Sequence, residues 1–340
     1  FCHDYPYYSS VSDSWLEHSR QHAEALIDKL ALSPESLVVE IASNDGYLLR
    51  NFLERGIPVL GIDPANGPAD AAREIGIETL DAFFSEDLAH KLKRQGRPPD
   101  VIIANNVLAH VADTRGFVRG LRALINQGGL VSIEVPYVRD LIENVEFDTI
   151  YHQHLCYFSV TSITKLLESE NMFVQEVERL PTHGGSLRIY AGTTSSSSRN
   201  LTELLSEERT LGLDRLDFYA DFAGQVGLIR DRLVTLLAKI RAEGKRVVGY
   251  GAAAKSCTLL NYCGIGMDLL DCLVDRNQHK HDMYMAGVRI PIYGTDLLLR
   301  EQPDYVLLLC WNLADEILEQ QDEYRRRGGK FIIPLPELKI

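Results

Sequence analysis

The chain predicts an α/β fold made of two Rossmann-like doubly wound parallel-sheet units joined by a helical linker, within 340 residues. Three observations carry this. The stretches SLVVEIASNDGYLLRNFLERGIPVLGIDPA (36–65) and KRVVGYGAAAKSCTLLNYCGI (245–265) each run from an apolar strand through a small-residue turn into a helix. In each case the next strand ends in an acid, Asp63 or Asp275. Between them, residues 201–243 place Leu201, Leu204, Val226, Ile229, Leu233 and Leu237 near helical spacing.

The elements follow in order. A strand over Leu37–Ile41 leads to a turn, a helix, and a strand ending at Asp63. Three further strands are predicted at IETLDA, DVIIANN and GLVSIEVP. DTRGFVRGLRALINQGG forms a helix before the last of these and closes with glycines, a usual stop. GTTSSSSRN (192–200) is a loop. The second unit continues with LLDCLVDRN, VRIPIY, DYVLLLCWN and KFIIPLPE. The expected division is 1–195, a linker at 196–243, and 244–340.

Composition narrows the function. At 45% hydrophobic and 24% charged, the chain is of ordinary globular type. No apolar run approaches the roughly 20 residues of a membrane helix, so no membrane partner is expected. The start, FCHDYPYYSS, lacks the basic and apolar regions of a signal peptide. Six cysteines (2, 156, 257, 263, 272, 310) without CxxC spacing fit reduced thiols and a cytoplasmic location. A net charge of −13 argues against a general nucleic-acid binder.

EIASNDG is not a dinucleotide fingerprint. One glycine, Gly46, stands in a turn with Ala42 and Asn44 that also carries Glu40 and Asp45. Acids there repel a pyrophosphate but suit an ammonium and a sulfonium. S-adenosylmethionine carries both and no phosphate. Asp63, followed by Pro64, sits where a carboxylate accepts from ribose hydroxyls. Phe83 and Phe84 lie near the expected adenine, beside Asp81, and Asn105, Asn106 and His110 follow the fourth strand. The alternatives are a core role for the phenylalanines, a helix cap for Asp63, and a packed or capping His110.

YHQHLCYFS (151–159) gathers Tyr151, His152, Gln153, His154 and Tyr157. HGGSLRIY (183–190) brings His183 and Arg188 with two glycines, so its backbone can approach a ligand. GYGAAAKS (249–256) offers Gly249, Gly251 and Lys255 as a diphosphate cradle at a helix start. With Asp275 it also reads as a nicotinamide dinucleotide site. Two histidines at HxH spacing are a possible metal pair, but no thiolate or third histidine stands beside them, and no metal is expected.

Taken together, VVEIASNDGYLLRNF, NNVLAHVAD, YHQHLCYFS, HGGSLRIY, VVGYGAAAK and VDRN resemble the SAM-dependent C-methyltransferases of deoxysugar biosynthesis. The resemblance runs from YPYYSSVSDSW to FIIPLPE. It implies a nucleotide-linked 4-keto sugar as substrate, methylated at C3; the GYGAAAKS cradle would then hold the nucleotide half. It makes His154 the base, because the family's base aligns with the second histidine of the motif. Tyr151 and Tyr157 can donate to a sugar or enolate oxygen, and His152 can do the same or orient the loop. It also puts a substrate-facing tyrosine in YPYYSS, with Tyr5, Tyr7 and Tyr8 as candidates. There are two departures. The family's N-terminal cysteine-rich zinc lobe has no counterpart in these residues. The family's Tyr-His-Glu-His reads Tyr-His-Gln-His here, so Gln153 keeps the hydrogen-bonding shape and loses a charge that would raise the basicity of a neighbouring imidazole. O-methylation remains an alternative chemistry, and oligomeric state is not legible.

Overall fold

The computed structural model describes residues 8–96 and 98–340. In chain order the first elements are α1 (Asp13–Leu30), β1 (Val38–Ile41), α2 (Leu49–Leu53), β2 (Val59–Ile62), α3 (Asn66–Glu74) and β3 (Thr79–Leu80). Then come α4 (Glu86–Gln95), β4 (Val101–Asn105), α5 (Thr114–Leu124), β5 (Leu130–Pro136), α6 (Val138–Glu143), α7 (Val160–Ser169), β6 (Phe173–Leu180), β7 (Ser186–Gly192) and α8 (Arg199–Leu211). The remaining elements are α9 (Phe222–Ala242), β8 (Val247–Tyr250), α10 (Ala254–Cys263), β9 (Leu273–Val274), β10 (Ile292–Tyr293), α11 (Leu297–Glu301), β11 (Tyr305–Leu308), α12 (Ala314–Gln320), α13 (Asp322–Arg326) and β12 (Lys330–Ile332).

The first sheet has the order β3-β2-β1-β4-β5-β7-β6. Strands β1 to β5 pair in parallel. Every residue of β1 and β4 is buried, as a strand covered by helices on both faces requires. The sheet is not wholly parallel, because β7 runs antiparallel to both β5 and β6. The 181–185 connection is too short for a crossover helix, so β6 and β7 form a hairpin. The sheet order reverses between β1 and β4, and their carboxyl ends form the crevice where such sheets bind ligands.

The second sheet, β10-β9-β8-β11-β12, is parallel throughout. Alternate residues of its strands enter two cores. Val247 and Leu307 pack with Leu233 and Leu237 of α9 and Leu259 of α10. Val248, Val306 and Leu308 pack with Tyr324 on the other side.

Several expectations are corrected. IETLDA and VRIPIY yield only the two-residue strands β3 and β10. Helix α5 ends at Leu124, where Ile125 turns extended, and the glycines sit in the turn before β5. The helical region is not an independent linker. By packing, the first unit is 8–137, 155–180 and 186–211, and the second is 138–154, 181–185 and 212–340. Thus α8 belongs to the first unit and α9 to the second. Glu208 of α8 shows why: it is 1% exposed and accepts from Tyr137 Oη at 2.8 Å and from the Val160 and Thr161 amides at 2.6 and 2.8 Å. A carboxylate at the start of α7 also complements the helix dipole.

Gly251 follows β8 with φ +97, and a Cβ there would collide with Cys310 Sγ. We expect Gly251→Ala to cost about 2–4 kcal/mol, from left-handed strain plus overpacking, read as a lower denaturation midpoint.

Candidate active site

In the first unit the turn after β1 is conformationally strained. Ala42, Asn44 and Gly46 have φ of +58, +50 and +76. Residues other than glycine adopt such angles rarely and mostly where surrounding structure holds them for function. Two anchors hold this turn. Asp63, at the end of β2, accepts from the Asn44 amide at 2.9 Å and the Ala65 amide at 2.8 Å across Pro64. The segment before α1 adds more: Ser9 N donates to Asn44 Oδ1 at 2.8 Å, and Ser10 donates through N and Oγ to Asp45 Oδ2 at 3.1 and 2.6 Å. Ser9 and Ser10 were not singled out in the sequence, although the SS pair followed directly on the tyrosine run.

Several polar atoms here are buried with no partner: both oxygens of Glu40, Asp45 Oδ1, Asn105 Oδ1 and Ser43 Oγ. Glu40 is 1% exposed. Burial, with Asp63, Asp45 and Glu134 nearby, pushes its carboxyl well above the usual carboxylate range. Burial likewise raises Asp63, against its two backbone hydrogen bonds. Four acceptor-bearing side chains at one switch point, without a cation among them, are chemically suited to a positively charged ligand.

Asn105 is oriented by a residue the sequence reading did not single out. His22 of α1 is fully buried, and its Nε2 lies 3.0 Å from Ser132 Oγ. Its Nδ1 accepts from Asn105 Nδ2 at 3.2 Å, leaving Asn105 Oδ1 as the orphan. Burial drives the His22 pKa down to about 3, so the ring is neutral and can accept. Glu134, 1% exposed on β5, takes His18 at 3.0 Å and the Arg188 guanidinium at 2.6 Å. Burial alone would raise Glu134, but the His18 hydrogen bond and the Arg188 charge hold it at about 2. The available signal was GLVSIEVP, with Ser132 and Glu134 on one face of an otherwise apolar strand.

This corrects the expectation for Arg188, which is committed to Glu134 inside the first unit rather than presented to a ligand. Phe84 is corrected as well. It is half-buried and packs edge-on against Phe117 at 5.3 Å, while Phe83 is 61% exposed. Asn106 has φ +53, and His110 ends a 3-10 turn, half-buried. Tyr157 is half-buried, and burial raises its hydroxyl. Tyr8 lies at the rim, its hydroxyl against Gly67 of α3. Tyr5 and Tyr7 lie outside the described residues.

The second unit holds Tyr151, His152, Gln153 and His154 of the YHQHLCYFS motif. His154 Nδ1 is 2.8 Å from the Thr149 carbonyl, which can only accept, so Nδ1 carries a proton. Nε2 of the neutral ring is then a lone pair, and Tyr151 Oη donates to it at 2.8 Å. The two ring centroids lie 4.1 Å apart with the planes tilted by 32°. Both nitrogens are thus engaged, and His152 is exposed, so the HxH pair is not arranged as a metal site. Gln153 is half-buried beside them.

Nearby, Phe147–Thr149 packs on α10, and Thr182–Gly184 packs on Trp311–Leu313. Gly184 and Gly185, both at positive φ, lie against the carboxylates of Glu146 and Asp140. His183 sits in this turn at φ +59. Burial raises Glu146 to about 7. Lys255 donates to Asn312 Oδ1 at 2.8 Å, with its ammonium 4.1 Å from the Trp311 ring centroid.

Asp275 repeats the geometry of Asp63. It accepts from Ala252 N at 2.7 Å and Asn277 N at 2.8 Å, beside Gly249 and Gly251. The electrostatics differ, since Lys280 pairs with Asp275 at 3.3 Å. One turn is ringed by acids and the other carries cations.

Comparison with known proteins shows the family. Residues 15–176 match a family model described as "Methyltransferase domain", and residues 181–336 match "C-methyltransferase C-terminal domain". The chain is 34% identical to C-methyltransferase NovU of Streptomyces niveus, over 99% of this chain and 81% of that one. It is 27% identical over 97 residues to the ubiquinone biosynthesis O-methyltransferase of Azorhizobium caulinodans, 28% of this chain and 38% of that one. A solved structure of a Burkholderia thailandensis N1-methyltransferase superposes on 54% of this chain and 82% of that one, with a TM-score of 0.40 and 19% identity, too distant to bear on function. The match over 181–336 takes in the GYGAAAKS turn and Asp275.

The buried His22 yields a signed pH effect. Its folded pKa of about 3 lies below the ordinary 6.5, so the unfolded chain takes up the proton first and stability falls as pH drops below 6.5. From pH 7 to 5 this one residue removes about 2 kcal/mol. We expect His22→Gln to lose that component, so that the wild-type-minus-variant difference in unfolding free energy shrinks on acidification by that amount.

Proposed function

As the chain belongs to the SAM-dependent C-methyltransferase family, we propose that it removes a proton from a carbon next to a ketone and methylates the enolate, the acceptor being a nucleotide-linked 4-keto-6-deoxy sugar and the carbon its C3. The cofactor of the family is S-adenosylmethionine. The residues present fit it: a donor with an ammonium group and a sulfonium supplies the positive charge that the unpartnered Glu40 and Asp45 oxygens lack. Glu40, Asp45, Asn105 and Asp63 would hold it, with Phe83 toward the adenine. When bound, it supplies an electrophilic methyl and leaves as a neutral thioether.

The observation that carries the reading is the fixed imidazole. His154 donates Nδ1–H to a backbone carbonyl and keeps a basic Nε2 facing Tyr151. In the proposed reaction Nε2 accepts the α-proton and the C–H electron pair moves into the enolate. Tyr151 Oη, displaced from Nε2 by the substrate, donates to the developing oxyanion. The enolate carbon then forms the new C–C bond. Gln153 leaves this imidazole without the extra charge of the family's glutamate, which lowers its driving force as a base. Lys255 and Lys280 make the second unit's turn suited to a diphosphate, in contrast to the acidic first turn. His183 is assigned to the sugar. His152 is assigned to orienting the loop. O-methylation would need no enolate.

Two measurements test this. Glu40→Gln should weaken S-adenosylmethionine binding by at least about tenfold in calorimetry, since a charge-assisted contact becomes a neutral one. Incubation with S-adenosylmethionine and a panel of 4-keto-6-deoxy nucleotide sugars should add one methylene to the sugar mass, carbon-linked by NMR. His154→Ala should lower that rate by at least about a hundredfold. An oxygen-linked methyl, or an active His154→Ala enzyme, contradicts the proposal.

A further inference from the structure

We infer that Trp311 is a positioning residue for His154, acting through Asp148 and the Thr149 carbonyl; this rests on reading His154 as the base. The chain of contacts lies within one packed unit. Trp311 follows β11 in a 3-10 turn and is 6% exposed. Its Nε1–H donates to Asp148 Oδ2 at 2.7 Å, and Asp148 is 0% exposed. The next residue, Thr149, supplies the carbonyl that takes Nδ1–H of His154.

The turn carrying that carbonyl is closed by its own bonds. Thr149 donates to the Glu146 carbonyl through Oγ1 at 2.7 Å and through N at 3.1 Å. Those bonds set the shape of the turn. Where the turn points is set by what it packs on, and the Asp148–Trp311 bond is its side-chain tie to the end of β11. A phenylalanine would fill the same apolar space, so the indole N–H serves Asp148 and not packing. Burying a carboxylate here is unfavourable, as the upward direction of the Asp148 pKa shows, with burial its main cause. A packing role alone would favour an apolar side chain at 148. The same indole lies beneath Lys255. The cation suited to a diphosphate and the group that orients the base therefore share one support.

The test is the tautomer of His154, read by nitrogen-15 NMR on the full chain labelled at histidine, with His154→Gln assigning the signal. The wild type should show a single Nδ1–H tautomer. Trp311→Phe keeps the ring and deletes the donor, and should give a mixture of tautomers. Because Trp311→Phe leaves a buried carboxylate unpaired, Trp311→Phe with Asp148→Leu removes both partners and should fold while showing the same mixture. Asp148→Asn keeps an acceptor for the indole and should retain the single tautomer. On any 4-keto sugar nucleotide that is methylated, both Trp311 variants should lower kcat by at least about tenfold, with KM for S-adenosylmethionine unchanged. A single Nδ1–H tautomer in both Trp311 variants overturns the inference, as does its loss in Asp148→Asn. Failure of the wild type on the whole sugar panel would overturn the proposed acceptor, and the tautomer would still decide the role of Trp311.

Discussion

The proposed chemistry depends on the hydrogen bond from His154 Nδ1 to the Thr149 carbonyl. An imidazole offers two nitrogens, and only one can be the base. A carbonyl partner settles which, because it has no proton to give and does not titrate near neutral pH. The lone pair on Nε2 is thereby fixed in place before any substrate arrives. The turn that carries the carbonyl is itself held on three sides. Phe147 is buried in the main core of the unit, Asp148 is tied to Trp311, and Thr149 bonds back to Glu146.

A second constraint is electrostatic. The two α/β units use the same backbone device, a turn amide and a following amide both captured by an aspartate at the end of the second strand. Their surroundings differ in sign. Around Asp63 stand Glu40 and Asp45, and around Asp275 stand Lys280 and, across Cys310, Lys255. One fold element is thus suited to a cation in the first unit and to an anion in the second. Shape alone would not distinguish them, and the charges decide.

The fold was largely legible because its central strands are short, mostly apolar runs followed by small-residue turns, as in VVEI and VVGY. What the sequence did not reveal had local physical causes. Strands β3 and β10 contribute two residues each, below the length at which alternation is readable. The antiparallel β6 and β7 follow from a short loop rather than from any strand propensity. In the site, Glu40 stood out as an acid in an apolar strand, Asp45 as an acid where a dinucleotide turn has glycines, and His154 through the resemblance of its motif to the family's. His22, Thr149 and Trp311 did not. A histidine on an amphipathic helix, a backbone carbonyl and an indole after an apolar strand acquire their roles only from partners more than 80, five and more than 160 residues away. Arg188 misled for the same reason, since its partner Glu134 faces it across β5 and β7.

The most direct measurement of the central claim separates proton removal from methyl transfer. The chain is incubated in deuterium oxide with a 4-keto-6-deoxy nucleotide sugar and S-adenosylhomocysteine, which has no methyl to give. Incorporation of one deuterium at C3, abolished in His154→Gln, is the predicted result. No exchange in the wild type on a sugar that it methylates with S-adenosylmethionine, or undiminished exchange in the variant, would contradict an oriented His154 as the base.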